Sequence, residues 1–102
     1  MSRFAQHTRL VAMPGRRDEL VAKFLESAEI QRDNPDCELM FVSTAPDSAE
    51  VLFLTEVWSS RDAWEHARTS PRIQAWAASM PALVGGPPQS TVLDVAGGKG
   101  VG

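Results

Sequence analysis

From Val51 to Pro71 the sequence runs straight from a strand into two capped helices, leaving no room for a linker. Val51 to Trp58 alternates as a strand. Leu52, Leu54, Glu56 and Trp58 share one face; Val51, Phe53, Thr55 and Val57 share the other. Ser59 and Ser60 follow as alternative N-caps, and Asp62, three residues after Ser59, makes a weak capping box. The short helix after them carries Trp64 and His66. Ser70-Pro71 then opens another helix, a capping hydroxyl ahead of a proline whose missing N–H costs least at that position. Glu56 and Trp58 thus point the same way, beside the start of the helix bearing Trp64 and His66. Any pocket is expected at that corner.

The remaining elements follow from period and punctuation. Arg3 to Met13 reads as a first strand stopped by Pro14-Gly15. Leu20, Val21, Phe24, Leu25 and Ala28 recur at helical spacing, with Asp18 and Glu19 near the positive end of the helix dipole. Pro35 disfavours helical geometry at Asn34, so this helix ends at Asp33-Asn34-Pro35-Asp36. Glu38 to Thr44 is a second strand, with Leu39, Phe41 and Ser43 opposite Met40, Val42 and Thr44, and Pro46-Asp47-Ser48 is a turn. Ile73, Trp76, Ala77 and Met80 form the apolar stripe of the last helix. Gly85-Gly86-Pro87-Pro88 precedes a final strand over Gln89 to Ala96.

Strand, helix, strand, strand, helix in two pieces, strand: this order predicts an α+β fold of the ferredoxin-like, split βαβ type. Helices then cover one face of a four-stranded antiparallel sheet. On the third strand the opposite set, Val51, Phe53, Thr55 and Val57, is too apolar to face water. A second copy is the expected cover, giving a homodimer that closes as a dimeric α+β barrel. The domain is expected over residues 1–96, with 97–102 as a flexible glycine-rich tail.

Composition narrows the function. A chain of 102 residues supports one core. A net charge of -3 and a pI near 5.3 speak against a nucleic-acid surface, and Arg16-Arg17 is too small a basic patch to change that. No apolar run approaches the ~20 residues of a membrane span, so no membrane partner is expected. Met1 to His7 lacks the apolar core of a secretory signal, and Cys37 stands alone, which excludes an internal disulfide and suits the cytoplasm. Two isolated histidines without a Cys-x-x-Cys make no zinc site, and Gly97-Gly98-Lys99-Gly100 lacks the spacing of a phosphate loop.

The ordered set of motifs resembles the antibiotic biosynthesis monooxygenase (ABM) domain family, small dimeric α+β barrels. It comprises Pro14-Gly15, Asn34-Pro35-Asp36-Cys37, Glu56-Val57-Trp58, Ala63-Trp64, Ser70-Pro71 and the Gly-Pro-Pro approach to the last strand, nearly the whole chain. Family members include oxygenases that oxidise polycyclic phenols or quinols without metal or flavin, haem-degrading enzymes, and proteins with no settled activity. The sequence departs from the pattern in several places. Asp36 replaces a glycine, and His66 lies one residue before Ala67, where a helix histidine is common. Leu54 stands where the polyketide-oxidising branch has Asn, and the chain has no tyrosine. The Asn, Trp and His of the haem-degrading branch align with Thr8, Trp58 and Ala77, so no haem binding is expected.

The resemblance implies a cofactor-independent monooxygenase that oxidises an electron-rich aromatic, a quinol or polycyclic phenol, with dioxygen. The alternative is a non-catalytic small-ligand-binding or stress-associated dimeric barrel. Trp58, Trp64 and Leu54 would wall the pocket with Gln6 among its polar groups; His66, Glu56 and His7 are the candidate catalytic residues. Each has a plainer reading. Trp58 is either a stacking platform or core, Trp64 packs helix on sheet, and Trp76 is core. His66 is an imidazole able in principle to deprotonate a phenol, but Glu65 and Arg68 beside it mark an exposed helix face. His7 serves a structural role, and Glu56 is either a buried structural carboxylate or a base of raised pKa.

Overall fold

The computed structural model describes residues 3–100. In chain order the elements are β1 (Phe4–Val11), α1 (Arg17–Ile30), β2 (Cys37–Thr44), β3 (Val51–Trp58), α2 (Arg61–Ala67), α3 (Pro71–Ala78) and β4 (Gln89–Asp94). The four strands form one sheet in the order β2-β3-β1-β4, with every neighbouring pair antiparallel. This is the ferredoxin-like α+β fold. β1 and β3 lie in the centre; α1 connects β1 to β2, and α2 with α3 connects β3 to β4, strands that are not neighbours in the sheet.

Local chemistry sets the corners. Arg16 N–H donates to the Met13 carbonyl at 2.9 Å, closing a turn with Pro14 and Gly15 at its centre. Gly15 sits at φ 75°, the conformation that the third position of a type II turn demands and that a side chain disfavours. At the start of α1, Arg17 donates to the carbonyls of Ala45 and Ser48, tying the helix to the β2–β3 turn. Asp36, the departure from the family's glycine, has a use here. Its side chain accepts from the Ser59 hydroxyl at 2.7 Å and its carbonyl from the Ser59 N–H at 2.9 Å, pinning the start of β2 to the β3–α2 corner. Ser60, rather than Ser59, caps α2, accepting from the Ala63 N–H at 3.1 Å. Ser70 makes no side-chain cap bond, so α3 starts on Pro71 without the expected hydroxyl.

The main core joins Leu10, Ala12, Leu20, Phe24, Leu52, Leu54 and Leu83; a second cluster joins Phe4, Trp58 and Ala67. On α1 the buried positions are Leu20, Phe24 and Ser27, continued by Gln31. Leu25, one step of about 100° from Phe24, is therefore exposed rather than part of the apolar face. Two strands are shorter than expected. β1 ends at Val11, and Ala12 forms an isolated bridge to Val84. β4 ends at Asp94, although Val95 N–H still donates to the Arg3 carbonyl. Residues 97–100 form neither helix nor strand. The ends of the expected domain and tail, residues 1–2 and 101–102, lie outside the described residues.

The sheet face away from the helices carries the apolar set anticipated for β3, extended by Leu39 and Phe41 of β2 and Leu93 of β4. These last three are 43%, 46% and 46% exposed. No helix of the described chain is long and apolar enough to cross a membrane.

Candidate functional site

Antiparallel register builds the floor of a cleft from the inner faces of β1 and β3. Across the two strands Phe4 pairs with Trp58, Gln6 with Glu56 and Thr8 with Leu54. Side chains directly opposite in such a pair start about 4.5–5.5 Å apart, so Gln6 and Glu56 enter the cleft side by side. Trp64, Ala67 and Arg68 of α2 and Ile73, Gln74, Trp76 and Ala77 of α3 form one wall. Phe24, Ser27 and Gln31 of α1 close another, and Pro88 and Ser90 flank the β4 end. The volume is about 590 Å³. That is the size and lining expected of a small-molecule site, mostly apolar with a few polar groups.

Glu56 is the one carboxylate in this lining, and Arg68 is the other titratable group among the described residues. The Glu56 carboxylate is 7% exposed and accepts the Trp58 indole N–H on Oε1 at 3.1 Å. Burial raises its pKa above the ordinary value, because removing a carboxylate from water penalises the charged form. The Trp58 N–H and the Arg68 charge pull in the opposite direction and only partly offset it. Among the described residues no side chain bonds to Oε2, and none bonds to the Gln6 amide. Thr8 shares its hydroxyl with Ser90 at 3.1 Å. One ionisable oxygen and one amide thus face the cleft without protein partners, an arrangement able to take a proton and hold an oxygen.

Five of the sequence-predicted residues, Glu56, Trp58, Trp64, Leu54 and Gln6, line the cleft together. The two histidines do not. Gln6 and Thr8 face inward, so strand alternation sends His7 to the opposite face, where it stacks on Phe53 at 5.3 Å and its Nδ1 meets Thr55 Oγ1 at 3.1 Å. On α2, Ala67 faces the sheet, and His66, about 100° away, is exposed beside Asp33 and Arg72 in a separate surface depression. Trp58 is 2% exposed and packs with Phe4 and Ala67, so it combines core burial with a polar contact to Glu56. Trp64 packs on Phe4 with ring centroids 4.9 Å apart. Trp76, read as core, is half-buried and lines the cleft; its indole N–H donates to the Lys23 carbonyl at 2.5 Å and ties α3 to α1.

Sequence reasoning assigned Arg68 to an exposed helix face. Arg68 is exposed, and its guanidinium lies 4.6 Å from the Trp64 ring centroid, on the edge of the cleft. The signal was present: Trp64 and Arg68 are four residues apart on one helix, and such residues are neighbours. Ser27 and Gln31 were missed because the apolar periodicity of α1 was traced without them. No group of three or more His, Cys, Asp or Glu side chains among the described residues is arranged to hold a metal ion.

Fold and cleft together define a small ferredoxin-like α+β protein with an apolar, tryptophan-lined cleft between sheet and helices. The family model for antibiotic biosynthesis monooxygenases matches residues 3–79. The chain belongs to that family. A solved structure from Chloroflexus aurantiacus, classed with the antibiotic biosynthesis monooxygenases, is similar at 27% identity and TM-score 0.88, over 99% of this chain and 100% of that one. Rv0793 from Mycobacterium tuberculosis is similar at 26% identity and TM-score 0.84, over 96% and 99% of the two chains. A mutant of SnoaB, a cofactor-independent oxygenase from Streptomyces nogalater, shares the fold at 16% identity and TM-score 0.84, over 97% and 98%. No curated protein sequence matches the chain.

Proposed function

We propose that this protein is a monooxygenase that needs neither metal nor flavin and oxidises an electron-rich aromatic, a quinol or polycyclic phenol, with dioxygen. The observation that carries the reading is Glu56, the one buried carboxylate among the described residues, in an apolar cleft lined by Trp58, Trp64 and Trp76. A base of raised pKa is suited to taking a proton from a weakly acidic substrate near neutral pH. Glu56 Oε2 accepts the proton that leaves the substrate, and the Gln6 amide donates to the oxygen that becomes negative. The resulting anion gives one electron to dioxygen, and the two radicals combine to a carbon-bound peroxide. Protonation and loss of water leave a second carbonyl, so the phenol's O–H and one ring C–H plus O₂ become a quinone plus H₂O. The cleft contributes alignment of the partners and exclusion of water.

The proposed assembly is a homodimer that pairs the outer sheet faces, on the strength of the exposed Leu39, Phe41 and Leu93. A lone cysteine, Cys37, fits a reducing cytoplasm. The second reading, a barrel that binds a small ligand without turnover, draws on the placement of both histidines outside the cleft and on the absence of tyrosine. Metal- and flavin-free protein given a panel of fused-ring quinols and anthrones decides between them. The oxygenase reading expects oxygen uptake above the uncatalysed rate and its loss in Glu56→Gln. Saturable binding with no turnover across the panel leaves the binding barrel.

A further inference from the structure

Arg68 is set differently from the arginines paired around it. Arg16 pairs with Glu19, Arg32 with Glu29 and Arg61 with Glu65, all on the exposed surface on or beside α1 and α2. The Arg68 side chain makes no hydrogen bond or ion pair among the described residues; only its backbone N–H is engaged, to the Trp64 carbonyl. Its guanidinium lies over the Trp64 ring, 4.6 Å from the centroid, with its N–H groups unspent among the described residues. It lines the same cleft as Glu56, and its positive charge is felt by that carboxylate, yet the two do not form an ion pair. The cleft therefore has a free cation at an exposed edge, a buried carboxylate on its floor, and apolar surface from Trp64, Ala67 and Ile73 along its walls. A forked, partnerless guanidinium matches a carboxylate, which it can bind with two parallel hydrogen bonds.

We propose that Arg68 is a specificity-determining residue that binds a carboxylate of the substrate at the mouth of the cleft. The aromatic body then lies along Trp64 and a hydroxyl is directed inward to Glu56 and Gln6. The ligand class is a hydroxylated fused-ring aromatic acid, with acid and hydroxyl at opposite ends. This deepens the oxygenase reading in that Glu56 receives the hydroxyl, but the role of Arg68 is one of binding and is measured without turnover.

The probes are a hydroxynaphthoate with its two groups on opposite rings and the naphthol that lacks the carboxylate, titrated into the full chain by calorimetry. Wild-type protein is expected to bind the acid about 10-fold or more tighter, the range of a charge-assisted bidentate contact. Arg68→Gln is expected to abolish that preference while changing naphthol affinity less than about twofold, and Arg68→Lys to retain part of it, since lysine keeps the charge and loses the fork. Arg68 is exposed, so these variants should fold, and circular dichroism checks that they do. Equal affinity for both probes, binding of neither, or a preference that survives Arg68→Gln overturns the proposal. The preference without turnover of any substrate leaves Arg68 standing and removes the oxygenase reading. Turnover of neutral quinols with no preference does the reverse.

Discussion

Trp58 donates its indole N–H to the carboxylate of Glu56, two residues back on the same strand. Period-two alternation puts both side chains on the helix-covered face, and the bond fixes the carboxylate with one oxygen engaged and the other turned to the cleft. The tryptophan thus acts through the carboxylate as well as through its apolar surface. Because the N–H stabilises the charged form, it partly counters the burial that raises the Glu56 pKa.

The first prediction concerns rate and pH. If Glu56 is the base, activity rises with pH through a midpoint above the ordinary carboxylate value, and Glu56→Gln loses about 10²–10⁴-fold, the usual contribution of a general base. Trp58→Phe removes the donor, which raises the Glu56 pKa further and moves the midpoint to higher pH. His66→Ala, remote from the cleft, leaves kcat within about twofold, far below what loss of a base costs. A drop of the Glu56→Gln size in His66→Ala would transfer the role to the histidine.

Stability supplies a test that needs no substrate. Glu56 has a folded-state pKa above its unfolded value, so the protonated form favours the fold. That contribution is complete below the unfolded carboxylate pKa of about 4.3 and is lost as pH rises through the folded pKa. Glu56→Gln keeps an acceptor for the Trp58 N–H and stays neutral at every pH. Its Tm should exceed wild type at pH 8, and the gap should close near pH 4. Equal melting curves across that range would show a solvated carboxylate.

Much of this arrangement was legible from the sequence. The period-two set Leu52, Leu54, Glu56 and Trp58 identified the covered face of β3, and Pro14-Gly15 marked the turn that Gly15 closes at positive φ. The histidines were harder to place. On β1 neither alternate set is cleanly apolar, so the sequence alone did not say whether Gln6 and Thr8 or His7 faced inward; pairing with Glu56 and Leu54 decides it. For His66 the difficulty was angular, since a seven-residue helix has too few turns for its apolar stripe to fix the rotation. Arg68 is exposed as its charge implied; its contact with the cleft follows from its distance of one helical turn from Trp64.

Cys37 packs beside the Phe4, Trp58 and Ala67 cluster, and burial, reinforced by the Glu56 charge, pushes its thiol up to about 11. The thiolate is the reactive form, so at pH 8 labelling by an aromatic disulfide should be about 10²-fold slower than for free cysteine. Denaturant should restore the ordinary rate. Rapid labelling of the folded protein would mean that the cluster is open to solvent.

Ser60 holds the helix that carries Trp64, Ala67 and Arg68 by capping its first turn. Ser60→Ala should cost about 1 kcal/mol of stability, read as a lower denaturant midpoint with an unchanged slope. Because three cleft residues ride on α2, the same variant should weaken ligand binding more than Ser59→Ala does. Ser59 bonds to Asp36 rather than to the helix. The reverse order would place the anchor of α2 at the β2 corner.

The outer sheet face gives the last prediction. Phe41 is 46% exposed at the centre of β2, Leu39 lies two residues away on the same face, and half-buried Phe53 continues the apolar surface on β3. A patch of this kind costs free energy in water, and a second copy would cover it with the same residues, since a two-fold interface is self-complementary. A stable pair should bury more than about 1,000 Å² in total. Light scattering at micromolar concentration should therefore report twice the 11.1 kDa of one chain. Phe41→Asp places a charge in the middle of that surface and should weaken the pair on the order of 30-fold or more, as expected for an aromatic anchor at an interface centre. The cleft lies on the other side of the sheet, so the same variant should keep its ligand affinity. A wild-type monomer, or a dimer indifferent to Phe41→Asp, would show that the two chains do not meet on this face.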